Sequence, residues 1–208
     1  MATALLVAIG GMIAVSAANP RRASLGLLVA LVGSPLLVAP PDPLPLLARL
    51  VGSALAVYLV LVALRRTPRG RGSLVGWPAE ALSGVAAFAA GWLIAGTLAS
   101  FSVEPTTVAG PTLEVHAASG AAASLVVVAL APILLARDVP RLGIGLLLWI
   151  AAVDTGRRAA GVAEGPLTEV AIGIALAVVG AAVAWTCLRT MDAAGSLALP
   201  DDPRRSRR

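Results

Sequence analysis

The chain contains no lysine; all 16 of its basic residues are arginine. Charge of either sign is scarce, at 13% of 208 residues, against ~25% in soluble domains. That is too little polar surface to cover a soluble globule, which excludes a cytosolic enzyme. It also excludes a disordered chain, because 58% of the residues are hydrophobic. One cysteine, Cys187, excludes an internal disulfide, a CxxC motif and an all-cysteine metal site. One histidine, His116, excludes bis-histidine haem ligation and multi-histidine copper or zinc centres. Aromatic residues make up 3%, and none is interleaved with an arginine cluster as a stacking platform for nucleic acid would require. Neither a phosphate-binding GxxxxGK[ST] loop nor a GxSxG elbow occurs. No catalytic residue, cofactor or metal is therefore expected in this chain.

What is present is apolar sequence, with a mean hydropathy of +0.90. The composition predicts an all-α integral membrane protein, and its Ala/Gly/Val/Leu/Arg/Pro bias resembles that of a GC-rich bacterial genome. A membrane span needs about 20 mostly apolar residues. Seven segments approach that: 2–18, 23–40, 44–64, 77–101, 116–136, 142–156 and 166–188. The second and sixth are short, and must tilt, extend into their flanks or lie partly in the interface. The connections are too brief for a second domain, so residues 1–190 form a single transmembrane bundle and 191–208 a polar tail.

The first segment ends in Ser16-Ala17-Ala18, like a cleavage site, but its positive charges follow it at Arg21 and Arg22. A signal peptide carries them in front, so a retained helix is expected. Assigning alternate connections to opposite faces places Arg21, Arg22, Arg65, Arg66, Arg69, Arg71, Arg137, Arg141, Arg189, Arg204, Arg205, Arg207 and Arg208 on one side. Only Arg157 and Arg158 fall on the other, and Arg49 lies inside a span. Basic residues mark the cytoplasmic face, which predicts the N-terminus outside and the C-terminus in the cytoplasm of a plasma membrane.

The sequence also matches itself. Pro20-Arg21 aligns with Pro140-Arg141 at an offset of 120; Pro45-Leu46, Gly52 and Ala54–Val57 align with Pro166-Leu167, Gly173 and Ala175–Val178 at an offset of 121. Two parallel three-helix units, 1–67 and 116–190, are expected, with 77–101 as the linker helix between them. Such repeats are common in ion-handling membrane folds.

An ionisable group inside a bilayer costs ~2.5–3.5 kcal/mol on insertion scales and marks a functional site by default. Asp154 lies in the outer part of the sixth span, where an ion pair with Arg157 or Arg158 competes with a place in a proton relay. Glu169, on the fourth residue of the Pro166-led span, suits the positive helix end; desolvated, it would exchange protons near neutral pH. Glu80 is expected as an interfacial acid at a helix start, and Arg49 as a side chain snorkelling outward. His116, beside Glu114, suits a surface role better than a relay. Trp77 and Phe101 bracket the fourth span as interface anchors. No helix broken by glycine and proline at corresponding places in both halves marks a substrate site.

The stretches Arg137–Gly145, Ala152–Asp154 and Leu167–Leu176 resemble the last two helices of the K subunit of NADH-quinone oxidoreductase. The length, the Pro78–Gly84 opening of the fourth span and the polar tail are similar to component E of hydrogenase-4-type complexes. This resemblance implies a non-catalytic membrane-arm subunit connecting antiporter-like and hydrogenase-like partners in the bilayer, with Glu169, Asp154, Glu80 and His116 as proton-path candidates. The buried glutamate of that family is missing: Leu146, Leu147, Leu148, Trp149 and Ile150 follow Gly145. Its absence speaks against direct pumping by this copy. The alternatives are a free-standing small transporter or a membrane assembly scaffold.

Overall fold

The computed structural model describes residues 1–17, 19–37, 42–65, 77–101, 113–135, 138–162 and 165–194, with the side chains of 77, 96–101 and 193–194 excepted. Among these residues the chain forms seven α-helices: α1 (Ala2–Ser16), α2 (Pro20–Gly33), α3 (Pro43–Arg65), α4 (Trp77–Phe101), α5 (Leu113–Leu135), α6 (Val139–Ala159) and α7 (Pro166–Ala194). The arginines expected in 66–71, at 137 and in the tail lie outside the described residues, as does the 102–112 connection. Five helices, α3 to α7, are long and apolar enough to cross a membrane, so the chain is an all-α, multi-pass membrane protein.

Proline sets where the helices begin. Pro20, Pro43, Pro78, Pro140 and Pro166 occupy the first or second helical position, where a missing N–H costs nothing and the fixed φ suits the helix. Asn19 caps α2 by accepting a hydrogen bond from the Arg21 amide at 2.9 Å. The expected short sixth span extends at both ends, to 21 residues. The second stays short for a local reason: Pro35 turns the chain into a 3-10 segment, Ser34–Leu36, since it can neither donate to the helical ladder nor accommodate the carbonyl four residues back. The matching stretch of α6 has Thr155 there and remains α-helical. The α1 and α2 helices, at 15 and 14 residues, are only about 22 Å long at ~1.5 Å per residue.

At the other end of α6, the amide of Gly161 bonds the Arg158 carbonyl and that of Val162 the Arg157 carbonyl, at 3.0 and 3.1 Å. With Gly161 at φ 71°, this is a Schellman cap, whose left-handed position glycine fills without strain. It ends the helix one residue after Arg158, at Ala159.

Neighbouring helices alternate in direction, so α1, α3, α5 and α7 run parallel. The α3/α7 contact is among the closest in the bundle, and small residues make it possible. A Cβ on Gly52 would stand 2.6 Å from the Gly173 carbonyl carbon, and one on Gly180 2.6 Å from the Ala56 Cα. Gly52 and Gly173 are the glycines that align at an offset of 121, and here they lie against each other. Helix α4 packs on α5 and α1, with Gly84 against Met12 and Val128 and Gly91 against Ser119, and leaves much of its surface exposed. The core between the helices is built of Val7, Leu27, Leu31, Ala56, Val60, Leu125, Leu147, Leu148, Ala151 and Leu176, each at most 1% exposed.

The glycine seam gives a direct test. Gly173→Leu should lower stability by about 1–3 kcal/mol through overpacking, while Ala175→Leu on the exposed face of the same helix should change little. Thermal unfolding of both variants in one detergent distinguishes them, and equal stability would mean that α3 and α7 do not meet at Gly173.

Candidate functional site: a buried ring of four charges

Glycine at 173 lets the α3 backbone approach so closely that a Cβ there would be 3.0 Å from the Arg49 Cα. Glu169 stands one turn before Gly173 on the same face of α7, so the approach delivers Arg49 to a carboxylate. Arg49 Nη1 donates to Glu169 Oε2 at 3.1 Å, and Nη2 donates to Asp154 Oδ2 at 2.5 Å and to Ser34 Oγ at 3.3 Å. Arg158, one turn after Asp154 on α6, donates from Nε to Asp154 Oδ2 at 3.3 Å and pairs through Nη2 with Glu169 Oε1. The four groups form a closed ring of alternating sign: Arg49, Asp154, Arg158, Glu169.

All four are buried, at 0%, 3%, 8% and 1% exposure respectively. Unpaired, four such charges would cost on the order of 10 kcal/mol in a bilayer. Paired, they sum to zero, and each guanidinium fork meets two carboxylates, the geometry in which arginine binds best. The ring is off-centre. Arg49 is six residues into α3 and Asp154 five from the end of α6, so each lies about 8–9 Å inside its helix at ~1.5 Å per residue. Three buried polar atoms at or beside the ring have no hydrogen-bond partner: Arg49 Nε, Asp154 Oδ1 and, one turn further along α3, Ser53 Oγ. Buried polar atoms of this kind are the sites that internal water occupies.

The offset of 120 that aligns Pro20-Arg21 with Pro140-Arg141 sets Ser34 against Asp154, whereas the offset of 121 over α3 and α7 sets Arg49 against Val170, one residue after Glu169. Ser34, Asp154 and Glu169 all accept hydrogen bonds from Arg49. The ring therefore sits where α3, α6 and α7 meet the end of α2.

Several sequence expectations change here. Arg49 does not snorkel outward; it is fully enclosed, because two carboxylates inside the bundle offer more than the interface does. Asp154 pairs with Arg158, not Arg157, which is exposed. Glu169 opens α7, but its carboxylate is engaged by two arginines. Among the described residues α2 breaks into a 3-10 segment at Ser34–Leu36, and Ser34 Oγ at the break accepts a hydrogen bond from Arg49 Nη2. Glu80 lies in the first turn of α4 as expected, yet is covered at 7% exposure; it is at the opposite end of the bundle from the ring. His116 is half-buried rather than superficial, its Nδ1 3.1 Å from the Trp92 carbonyl and its ring 5.6 Å from the Trp92 ring. It shares the ring's end of the bundle but faces α4. Of the four proton-path candidates, the fold brings together only Asp154 and Glu169. Trp77 and Phe101 begin and end α4; their side chains lie outside the described residues. Of the two partners the sequence offered Asp154, Arg158 is the one that joins the ring; sequence reasoning missed Ser34, whose offset of 120 from Asp154 was the available signal.

Among the described residues no group of three or more His, Cys, Asp or Glu side chains is placed to hold a metal. Comparison with family models, curated proteins and solved structures returns no match.

Removing one cation should unbalance the ring. Arg49→Leu leaves two buried carboxylates on Arg158 alone and should cost about 3–5 kcal/mol. The charge-balanced pair Arg49→Leu with Glu169→Leu should recover a large part of that loss in a double-mutant cycle. Additive losses, measured by thermal unfolding in detergent, would show that the two residues do not interact.

Proposed function

We propose that the chain is a non-catalytic membrane-arm subunit of a hydrogenase-4 or complex I-like redox assembly in a bacterial plasma membrane, with its N-terminus outside and its C-terminus in the cytoplasm. The observation that carries this is the convergence of Asp154 and Glu169, on the two helices that bear the resemblance, upon Arg49 of the other three-helix unit. A neutral ring of this kind holds charge where a neighbouring subunit's proton movements can act on it.

The interior beyond Ser53 supports a side branch and not a full crossing. Ala56, Val57, Val60, Leu147, Leu148, Leu176 and Val183 fill it, leaving no chain of polar side chains among them. A free-standing transporter of polar solutes has less support for the same reason. Exposed apolar faces support a place among other helices: Leu82, Val85, Leu93 and Ile94 on α4, and Leu167, Ile174, Val178 and Trp185 on α7, are all more than half exposed.

Affinity purification of the tagged chain from its native membrane should recover antiporter-like and metal-cluster subunits in constant proportion; recovery of the chain alone sinks the assignment. Within such an assembly, Glu169→Gln keeps the side chain's size and removes its charge. It should cost stability, as the loss of any one ring charge does, and in the complexes that assemble it should lower redox-driven proton uptake in vesicles. An unchanged proton yield would make the ring a structural clamp only.

A further inference from the structure

The α1/α2 pair carries a second feature, independent of the ring and of the role proposed above. Gly10 and Gly26 bring the two backbones together: a Cβ on Gly10 would lie 2.8 Å from the Gly26 carbonyl oxygen, and one on Gly26 2.6 Å from that of Gly10. Beside this side-chain-free contact the flanking residues stand up as walls and enclose a groove of about 520 Å³. Leu6, Ile9, Ile13, Leu25 and Val29 line it, each at least 40% exposed. At one end it closes on Ser16, Ala17 and Arg22. Arg22 and its neighbour Arg21 are exposed, and neither forms an ion pair among the described residues.

We propose that this groove binds one anionic phospholipid, its acyl chain between α1 and α2 and its phosphate on Arg21 and Arg22. Charge and shape both favour that occupant. An apolar trough ending in two unpaired guanidinium groups matches a molecule with an apolar tail and an anionic head, and arginine's fork fits phosphate oxygens. Helix length adds a reason. Both helices fall short of the ~30 Å hydrocarbon core, so the bilayer must thin beside them or be locally filled. A lipid pinned at the arginine end fills that space. A second copy of the chain, or a partner's helix, would cover the walls but leave the arginines without an anion.

The full chain in mild detergent, mixed with equal phosphatidylglycerol and phosphatidylcholine of identical acyl chains, tests this by native mass spectrometry. Phosphatidylglycerol should be retained in preference. Each of Arg21→Gln and Arg22→Gln should lower that preference about fivefold, the effect of one arginine near a membrane surface. Leu25→Trp, which fills the trough at an exposed position and leaves the charges in place, should reduce retention of both lipids. Equal retention of the two lipids by the native chain overturns the proposal, as does a preference unaltered in both arginine variants. A dimer whose abundance is insensitive to added lipid and which Leu25→Trp dissociates overturns it in favour of a second copy.

Discussion

A guanidinium cannot shed its proton inside a membrane, so once α3 carries Arg49 at the depth of its second turn the rest of the bundle must supply anions. Two carboxylates do this, from α6 and α7, and together they would overcompensate. Arg158 restores neutrality and closes the ring. Each helix that contributes is thereby held in rotation and height, since sliding any of them by one residue would turn a charge toward lipid or apolar core. Apolar packing alone is far less discriminating in this setting, where lipid tails are as apolar as the side chains they replace. Electrostatic satisfaction fixes the register, and small-residue packing makes that register reachable.

The two are physically linked through Gly173. Its missing side chain brings the Arg49 backbone against α7 one turn from Glu169; a bulkier residue would separate the ion pair as well as the helices. The proline that ends α2 acts in the same direction. It breaks the helix at Ser34, exposing a hydroxyl to Arg49 that a continuous helix would present at a different angle. Local sequence choices of modest individual effect therefore converge on one site where α3, α6 and α7 meet the end of α2.

The periphery has a different logic. The surfaces of α4 and α7 and the α1/α2 groove are apolar and open, as expected of a chain that meets lipid and other helices over most of its area. Arginine is divided between two tasks accordingly. At helix ends it is exposed, as at Arg21, Arg22 and Arg157; in the interior it is paired, as at Arg49 and Arg158.

The sequence by itself determined the helices. Apolar run lengths and proline positions set their number and starts to within a few residues, because both act through neighbours along the chain. It also singled out Asp154 and Glu169 as costly residues to bury. Tertiary structure decided what those residues touch. Arg49 within its span was compatible with snorkelling outward or turning inward, and that choice depends on carboxylates 105 and 120 residues away. The membership of Ser34 and Arg158, the enclosure of Glu80 and the contact of His116 with Trp92 were settled likewise. Periodicity records which face a residue occupies; only the packed helices bring opposite charges within reach of each other.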